Sequence, residues 1–112
     1  MFADFMINDQ WLAAMDSARE HKFAFNEALS LIVPCDTQED IDYFWEKLSA
    51  VPAAEQCGWL KDKYGLSWQV YPTAMGKLMQ NGTREQIGRV TKAFLPMKKF
   101  DIVKLQKAFD GR

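Results

Sequence analysis

Two stretches near the middle of the chain decide its fold. The first is Asn26-Glu27-Ala28-Leu29-Ser30-Leu31-Ile32-Val33, and the second is Gln56-Cys57-Gly58-Trp59-Leu60-Lys61-Asp62-Lys63-Tyr64-Gly65-Leu66-Ser67-Trp68-Gln69-Val70. The sequence between them, from Asp36 to Leu48, has the spacing of a helix. This order predicts a strand, a crossover helix, a second strand, a tight turn and a third strand, which is an α+β arrangement with a mixed sheet.

The first stretch predicts a strand that runs from Phe23 or Phe25 to Val33. Alternation along a strand places successive side chains on opposite faces of the sheet. One face is mostly large and apolar and the other is small or polar; they carry, respectively, Phe25, Glu27, Leu29, Leu31 and Val33, and Asn26, Ala28, Ser30 and Ile32. Such a strand suits a sheet that packs on a helix with one face and lines a cavity with the other.

The helix is predicted to begin at Asp36, because Asp36 and Glu39 have the spacing of a capping box. Its buried stripe is defined by apolar residues at helical spacing, namely Ile41, Phe44, Trp45 and Leu48. We therefore expect this stripe to face the apolar side of the sheet.

The second stretch predicts two strands joined by a turn at Tyr64-Gly65. Cys57 and Trp59 point to one side of the earlier strand. In the later strand the apolar and polar faces alternate, with Leu66, Trp68 and Val70 against Ser67, Gln69 and Tyr71. We expect the Ser30/Gln69 side to line a concavity and the Leu31/Trp68 side to pack on the helix.

The flanking sequence predicts a β-hairpin before this unit and helices after it. The hairpin pairs Phe2–Ile7 with Gln10–Met15 through a turn at Asn8-Asp9. The helical segments are marked by their start and stop residues, namely Asn81-Gly82, Thr83 with Gln86, Pro96, and Asp101. We treat residues 1–112 as a single domain whose residues 83–112 form a helical tail.

The composition is that of a soluble globular protein. Of 112 residues, 48% are hydrophobic and 26% are charged, and the net charge is −1. This balance favours neither nucleic acid nor an anionic membrane as a partner, and the cytoplasm is the expected compartment. Cys35 and Cys57 have no zinc or redox spacing, so we interpret both as small buried apolar residues, with a disulfide or a reactive thiol as the alternative.

Two segments have sequences that resemble those of one protein family. They are Cys57-Gly58-Trp59-Leu60-Lys61-Asp62 and Ser67-Trp68-Gln69. This family is the PhnB-like, or 3-demethylubiquinone-9 3-methyltransferase-like, branch of the vicinal oxygen chelate (glyoxalase/bleomycin resistance/dioxygenase) superfamily. The superfamily encloses its ligands with paired βαβββ modules. By this resemblance, residues 25 to 71 form one module with a mixed, cupped sheet, helices on one face and C-terminal helices after it. Residues 2 to 16 resemble the last hairpin of a preceding module that is otherwise truncated.

The resemblance also implies an assembly and a set of ligand positions. Half of a cup leaves an open sheet edge, so we expect a homodimer, in which strands are exchanged or not. The positions that hold metal in metal-dependent relatives correspond to Ser30 and Gln69, and His21, the only histidine, lies in a polar loop. Because serine is a poor ligand for zinc, nickel or iron, we expect no metal and no other cofactor.

The functional hypothesis is therefore binding of a small organic molecule without metal. Its expected cavity is lined by Asn26, Ser30, Gln69, Tyr71 and Trp59. One alternative is an enzyme of the same superfamily, either a metal-dependent lyase, isomerase or dioxygenase, or the methyltransferase of the family name. Catalytic residues stay unassigned, although Glu27 and Glu55 are candidate general bases. A further alternative is a truncated relative that acts only through dimerisation.

Overall fold

The computed structural model describes residues 1–7 and 9–112 of the chain. It contains five strands, four α-helices and one short 3₁₀ turn. In chain order these are β1 (Phe2–Ile7), β2 (Gln10–Met15), β3 (Ser30–Cys35), α1 (Gln38–Leu48), the 3₁₀ turn Pro52–Ala54, β4 (Trp59–Lys61), β5 (Ser67–Pro72), α2 (Thr73–Asn81), α3 (Arg84–Phe94) and α4 (Ile102–Asp110).

Strand β5 lies at the centre of a mixed three-stranded sheet in the order β3-β5-β4. It pairs in parallel with β3 and antiparallel with β4, so that Trp68 has Leu31 on one side and Leu60 on the other. The face that carries these residues packs on α1 around a core of Val33, Cys35, Ile41, Leu60, Trp68 and Val70. The α+β class, the mixed sheet and the orientation of this face are confirmed.

The turn between β4 and β5 is organised by Asp62. Its Oδ1 accepts from the backbone N–H groups of Tyr64 at 2.8 Å and Leu66 at 3.0 Å, and its Oδ2 accepts from Trp68 Nε1 at 2.9 Å. Gly65 has φ of 88°, a conformation that glycine adopts without a steric penalty. The predicted turn is confirmed, and Asp62 ties it to the core tryptophan.

Two predicted boundaries are wrong. The first strand begins at Ser30 rather than at Phe23 or Phe25, because Asn26 Oδ1 accepts from Ala28 N at 2.9 Å and closes a turn. Residues Cys57 and Gly58 do not extend β4 either, since both have positive φ, 49° and 81°.

The start of α1 also differs from the prediction. The capping residue is Thr37, whose hydroxyl accepts from Asp40 N at 3.1 Å, and not Asp36. Asp36 instead accepts a 2.7 Å hydrogen bond from the Thr73 hydroxyl, so it joins the end of β3 to the start of α2. A tertiary contact has displaced the local cap by one residue.

The three C-terminal helices, α2, α3 and α4, build a second core, and residues 73–112, which form them, are called the helical tail from here on. Its buried residues are Met75, Val90, Phe100 and Leu105. The predicted capping box of Thr83 and Gln86 is confirmed, as is the cap at Asp101.

This helical tail is joined to the sheet by its backbone. The N–H groups of Cys57 and Gly58 donate to the carbonyls of Met97 and Lys98, both at 2.8 Å. The ring of Phe100 lies so close to Gly58 that a Cβ there would be 2.5 Å from Phe100 Cε2. The tail therefore docks where only glycine fits.

The β1–β2 hairpin forms a separate two-stranded sheet. Of its predicted turn, Asp9 has φ of 65°, while Asn8 lies outside the described residues. The hairpin contributes to the elongated shape of the molecule, whose extents are 55 × 29 × 23 Å. Its radius of gyration is 16.5 Å, whereas a compact chain of this length would have about 13 Å.

A pair of glycine substitutions tests the tail docking. Gly58→Ala should destabilise the protein by about 1–3 kcal/mol, because it combines positive φ with a steric conflict against Phe100. Gly88→Ala, in the exposed middle of α3 with open space around the new Cβ, should stabilise it by about 0.5–1 kcal/mol. Urea unfolding measures both; a neutral Gly58→Ala would contradict the close packing.

Candidate functional site

The face of the sheet opposite α1 carries the predicted polar pair. Gln69 Nε2 donates to Ser30 Oγ at 2.9 Å, across the parallel β3–β5 pairing. Trp59 on β4 is the register partner of Gln69, so its side chain lies on the same face. The structure thus brings together three of the five residues proposed from the sequence.

Apolar side chains border this polar pair. Ile32 is the β3 register partner of Gln69 and is 58% exposed, which is unusual for a large aliphatic residue in a sheet. Trp59 is half-buried. An amide and a hydroxyl surrounded by accessible apolar surface are the usual components of a small-molecule site.

An ion pair crosses the sheet at one end of this face. Lys61 on β4 pairs with Glu27, which precedes β3, so the pair joins segments on opposite sides of β5. Between them Ser67 is only 1% exposed. The hydrogen bond from Lys61, together with its charge, lowers the pKa of Glu27 below the ordinary 4.5.

A shallow cleft of about 270 Å³ lies between the hairpin and β3. Its lining is largely apolar and consists of Ile7, Gln10, Leu12, Leu31, Ile32 and Pro34. The cleft reaches the open face through Ile32, which belongs to both. Sequence reasoning placed Ile32 on this face but did not predict its exposure, because alternation does not reveal which parts of a face are uncovered.

The two other proposed residues lie apart from the pair. Tyr71 is on the same face of β5, two residues beyond Gln69, and packs against the second core. Asn26 is exposed, and its side chain closes the turn before β3. The surroundings of Tyr71 depend on tertiary contacts and those of Asn26 on a local side-chain turn, and the strand pattern contains neither.

The residues at the site do not fit a catalytic metal ion. Ser30 and Gln69 supply a hydroxyl and a neutral amide, and each is already engaged with the other. His21 is hydrogen-bonded to Ser17 Oγ at 2.6 Å and stacks on Phe23 in an exposed loop. Within residues 1–7 and 9–112, no three His, Cys, Asp or Glu side chains converge to form a metal site.

Glu55, one of the candidate bases, and Cys35 both have surroundings that indicate a structural rather than a catalytic role. Glu55 accepts from Ser49 Oγ at 2.6 Å, beside the 3₁₀ turn. Burial, together with the carboxylates of Asp40 and Asp36, raises the pKa of Cys35 to about 11. Cys35 therefore stays a neutral thiol at physiological pH, in keeping with a small apolar core residue.

The comparisons with known proteins agree with this architecture. The sequence model of the 3-demethylubiquinone-9 3-methyltransferase family matches residues 1–71, which is more than half of the chain. The chain belongs to this family. It is a PhnB-like protein of the glyoxalase type, as the resemblance implied, and its family region ends at the last residues of β5.

A solved structure supports the same assignment. It is a Bacillus cereus PhnB protein, provisionally named as a 3-demethylubiquinone-9 3-methyltransferase, with 37% sequence identity and a TM-score of 0.55. The match covers 65% of this chain and 64% of that one, so the chain spans less than two thirds of its relative.

A search of curated proteins finds no match. In the described part of the chain, every helix is too short or too polar to cross a bilayer.

The ion pair across the sheet predicts a pH dependence. Because the folded state lowers the pKa of Glu27, its stabilising contribution is present above pH 4.5 and is lost as pH falls through the folded pKa. Glu27→Gln should therefore lower stability near neutral pH and flatten the decline in stability as the pH falls below 4.5. Urea unfolding across this range measures the slope. Glu46→Gln, at an exposed position of α1, is the matched control and should leave the slope unchanged.

Proposed function

We propose that this PhnB-like protein binds a small, largely apolar organic molecule without metal, on the open face of the β3-β5-β4 sheet. The observation that carries this proposal is the Ser30–Gln69 hydrogen bond on a face with exposed apolar surface. Gln69 keeps its amide oxygen and a second N–H free of that bond, so it has one acceptor and one donor for a ligand.

Apolar contacts would supply most of the affinity. Ile32 and Trp59 flank the polar pair, and the cleft beside the hairpin extends the apolar surface. A ligand with one or two polar groups and a hydrophobic body would match this distribution. The fixed Ser30–Gln69 pair would set its orientation.

A second copy of the chain is the proposed cover for this half-open site. The outward face of the hairpin carries large apolar side chains at high exposure: Phe2 63%, Met6 47%, Trp11 63% and Met15 74%. The register places Phe2 opposite Met15 and Met6 opposite Trp11, so the four lie on one side of the ribbon. Asp4 and Ala13 lie between the two pairs on the same side, and exposed apolar surface interrupted by a single charge is still typical of an interface.

The topology favours an exchange of hairpins between copies. The hairpin hydrogen-bonds only to itself in the described part of the chain, and β3 lies at a sheet edge. A twofold arrangement that seats each hairpin against the partner's sheet would bury both features together. The proposed compartment is the cytoplasm, as the composition favours, with neither nucleic acid nor membrane as partner.

One test of the proposed function separates metal-free binding from metal-dependent catalysis. Purified tag-free protein should contain no stoichiometric metal, and zinc, nickel, manganese and iron(II) should not raise its melting temperature. A library of small apolar compounds should yield ligands that raise the melting temperature. Gln69→Leu should weaken them about tenfold, a loss of about 1.4 kcal/mol.

Gln80→Leu, at an exposed position of α2, is the control and should leave ligand affinity unchanged. Stoichiometric metal with strong stabilisation would contradict the proposal and favour the enzyme alternative of a lyase, isomerase or dioxygenase.

Another test concerns the proposed homodimer. Light scattering after size-exclusion chromatography should show a dimer at micromolar concentration, and Trp11→Glu should shift it towards monomer by placing a charge in the interface. Tyr43→Glu, at a 55% exposed aromatic residue of α1, should leave the dimer intact. A monomeric wild-type protein would rule out a binding site that is covered by a second copy of the chain.

A further inference from the structure

The net charge of −1 conceals a strong separation of charge along the chain. Residues 1–72 contain five Lys or Arg and twelve Asp or Glu, a net charge of −7. Residues 73–112, which form α2, α3 and α4, contain nine Lys or Arg and three Asp or Glu, a net charge of +6. The helical tail therefore has a positive potential that the overall composition does not reveal.

A cleft of about 600 Å³ lies where this tail meets α1. Junctions between structural units are frequent locations of ligand sites, and this volume is within the usual range of ligand pockets. Its lining combines residues of α1, the end of α3, the loop that joins α3 to α4, and the start of α4: Gln38, Asp42, Ala93, Pro96, Met97, Lys98, Lys99, Phe100, Asp101 and Lys104.

The loop that joins α3 to α4 carries Lys98 and Lys99 and is held in place from both sides, while Lys104 lies in the first turn of α4. Gln38 Nε2 donates to Phe100 O at 3.0 Å, and Gln38 Oε1 accepts from Ile102 N at 2.8 Å. On the other side, the carbonyls of Met97 and Lys98 accept from Cys57 and Gly58. The backbone is thus fixed at Lys98 by these bonds and at Lys104 by α4, which lowers the entropic cost of binding.

The acidic residues of the cleft already have partners. Asp42 pairs with Lys99 at 2.8 Å, and Asp101 Oδ1 accepts from Lys104 N at 3.1 Å as the cap of α4. Within the described residues 1–7 and 9–112, Lys98 and Lys104 make no ion pair. Two ammonium groups are therefore left without an intramolecular counter-charge.

We propose that this cleft between α1 and the α3–α4 loop is a second binding site, which takes a small molecule bearing a phosphate or pyrophosphate group through Lys98 and Lys104. Lysine binds phosphate as a point charge and needs no bidentate geometry. The site is separate from the open sheet face and does not depend on the function proposed for it.

Size and charge both restrict the ligand. The cleft is bounded by the acidic α1, where Glu39 and Asp40 are exposed beside Asp42. An extended polyanion such as nucleic acid would meet this acidic surface, whereas a compact phosphate group meets only the two carboxylates of the lining, Asp42 and Asp101, which already have partners. Because the cleft joins α1 to the tail, a bound phosphate would also stabilise the docking of the tail.

Calorimetry with inorganic pyrophosphate at low ionic strength tests the proposal. Lys98→Gln combined with Lys104→Gln should weaken binding at least tenfold. Lys77→Gln combined with Lys92→Gln removes the same charge from exposed positions of α2 and α3 outside the cleft, and should change binding less than twofold. Lys98→Arg with Lys104→Arg retains the charge and should restore binding to within threefold.

Three outcomes would overturn it. They are an absence of pyrophosphate binding at millimolar concentration, an equal loss in both glutamine pairs, and tighter binding of a DNA duplex that both pairs weaken alike. Circular dichroism and melting temperature confirm that each variant is folded, and the arginine pair separates loss of charge from loss of structure.

Discussion

Burial of Ile41 against the paired strands β3 and β5 is the contact on which the other parts of the structure rest. Ile41 is fully buried in α1, and Val70 is equally buried at the centre of β5. This packing covers most of one face of the sheet, which leaves the opposite face to carry Ser30 and Gln69. The end of β5 then continues directly into α2, so the position of the helical tail follows from the same strand.

The local pattern of the sequence predicts most of the elements, and it fails where a side chain has a competing partner. Alternation continues upstream of Ser30, but the Asn26 side chain takes the Ala28 N–H and turns the chain. Asp36 and Thr37 are both good capping residues, and a hydrogen bond from distant Thr73 decides between them. The positive φ at Cys57 likewise follows from the docked tail, which has no signal in nearby residues.

The candidate site is predictable to a similar extent. Ser30 and Gln69 could be placed on one face because strand periodicity is reliable over short distances. The covering of Tyr71 by the tail, and the exposure of Ile32, depend on contacts between elements far apart in sequence. The charge separation between the family region and the tail is present in the sequence, but the opposite charges of the two parts nearly cancel in the net charge of the whole chain.

Pro34 lies within β3, at the edge of the three-stranded sheet. Proline is tolerated in a strand where its nitrogen faces away from the paired neighbour, so it interrupts the row of donors along that edge. A strand added there can form a regular ladder only beside the first half of β3. This restriction limits the registers open to a partner and opposes continued strand addition into fibres, although the edge itself stays accessible.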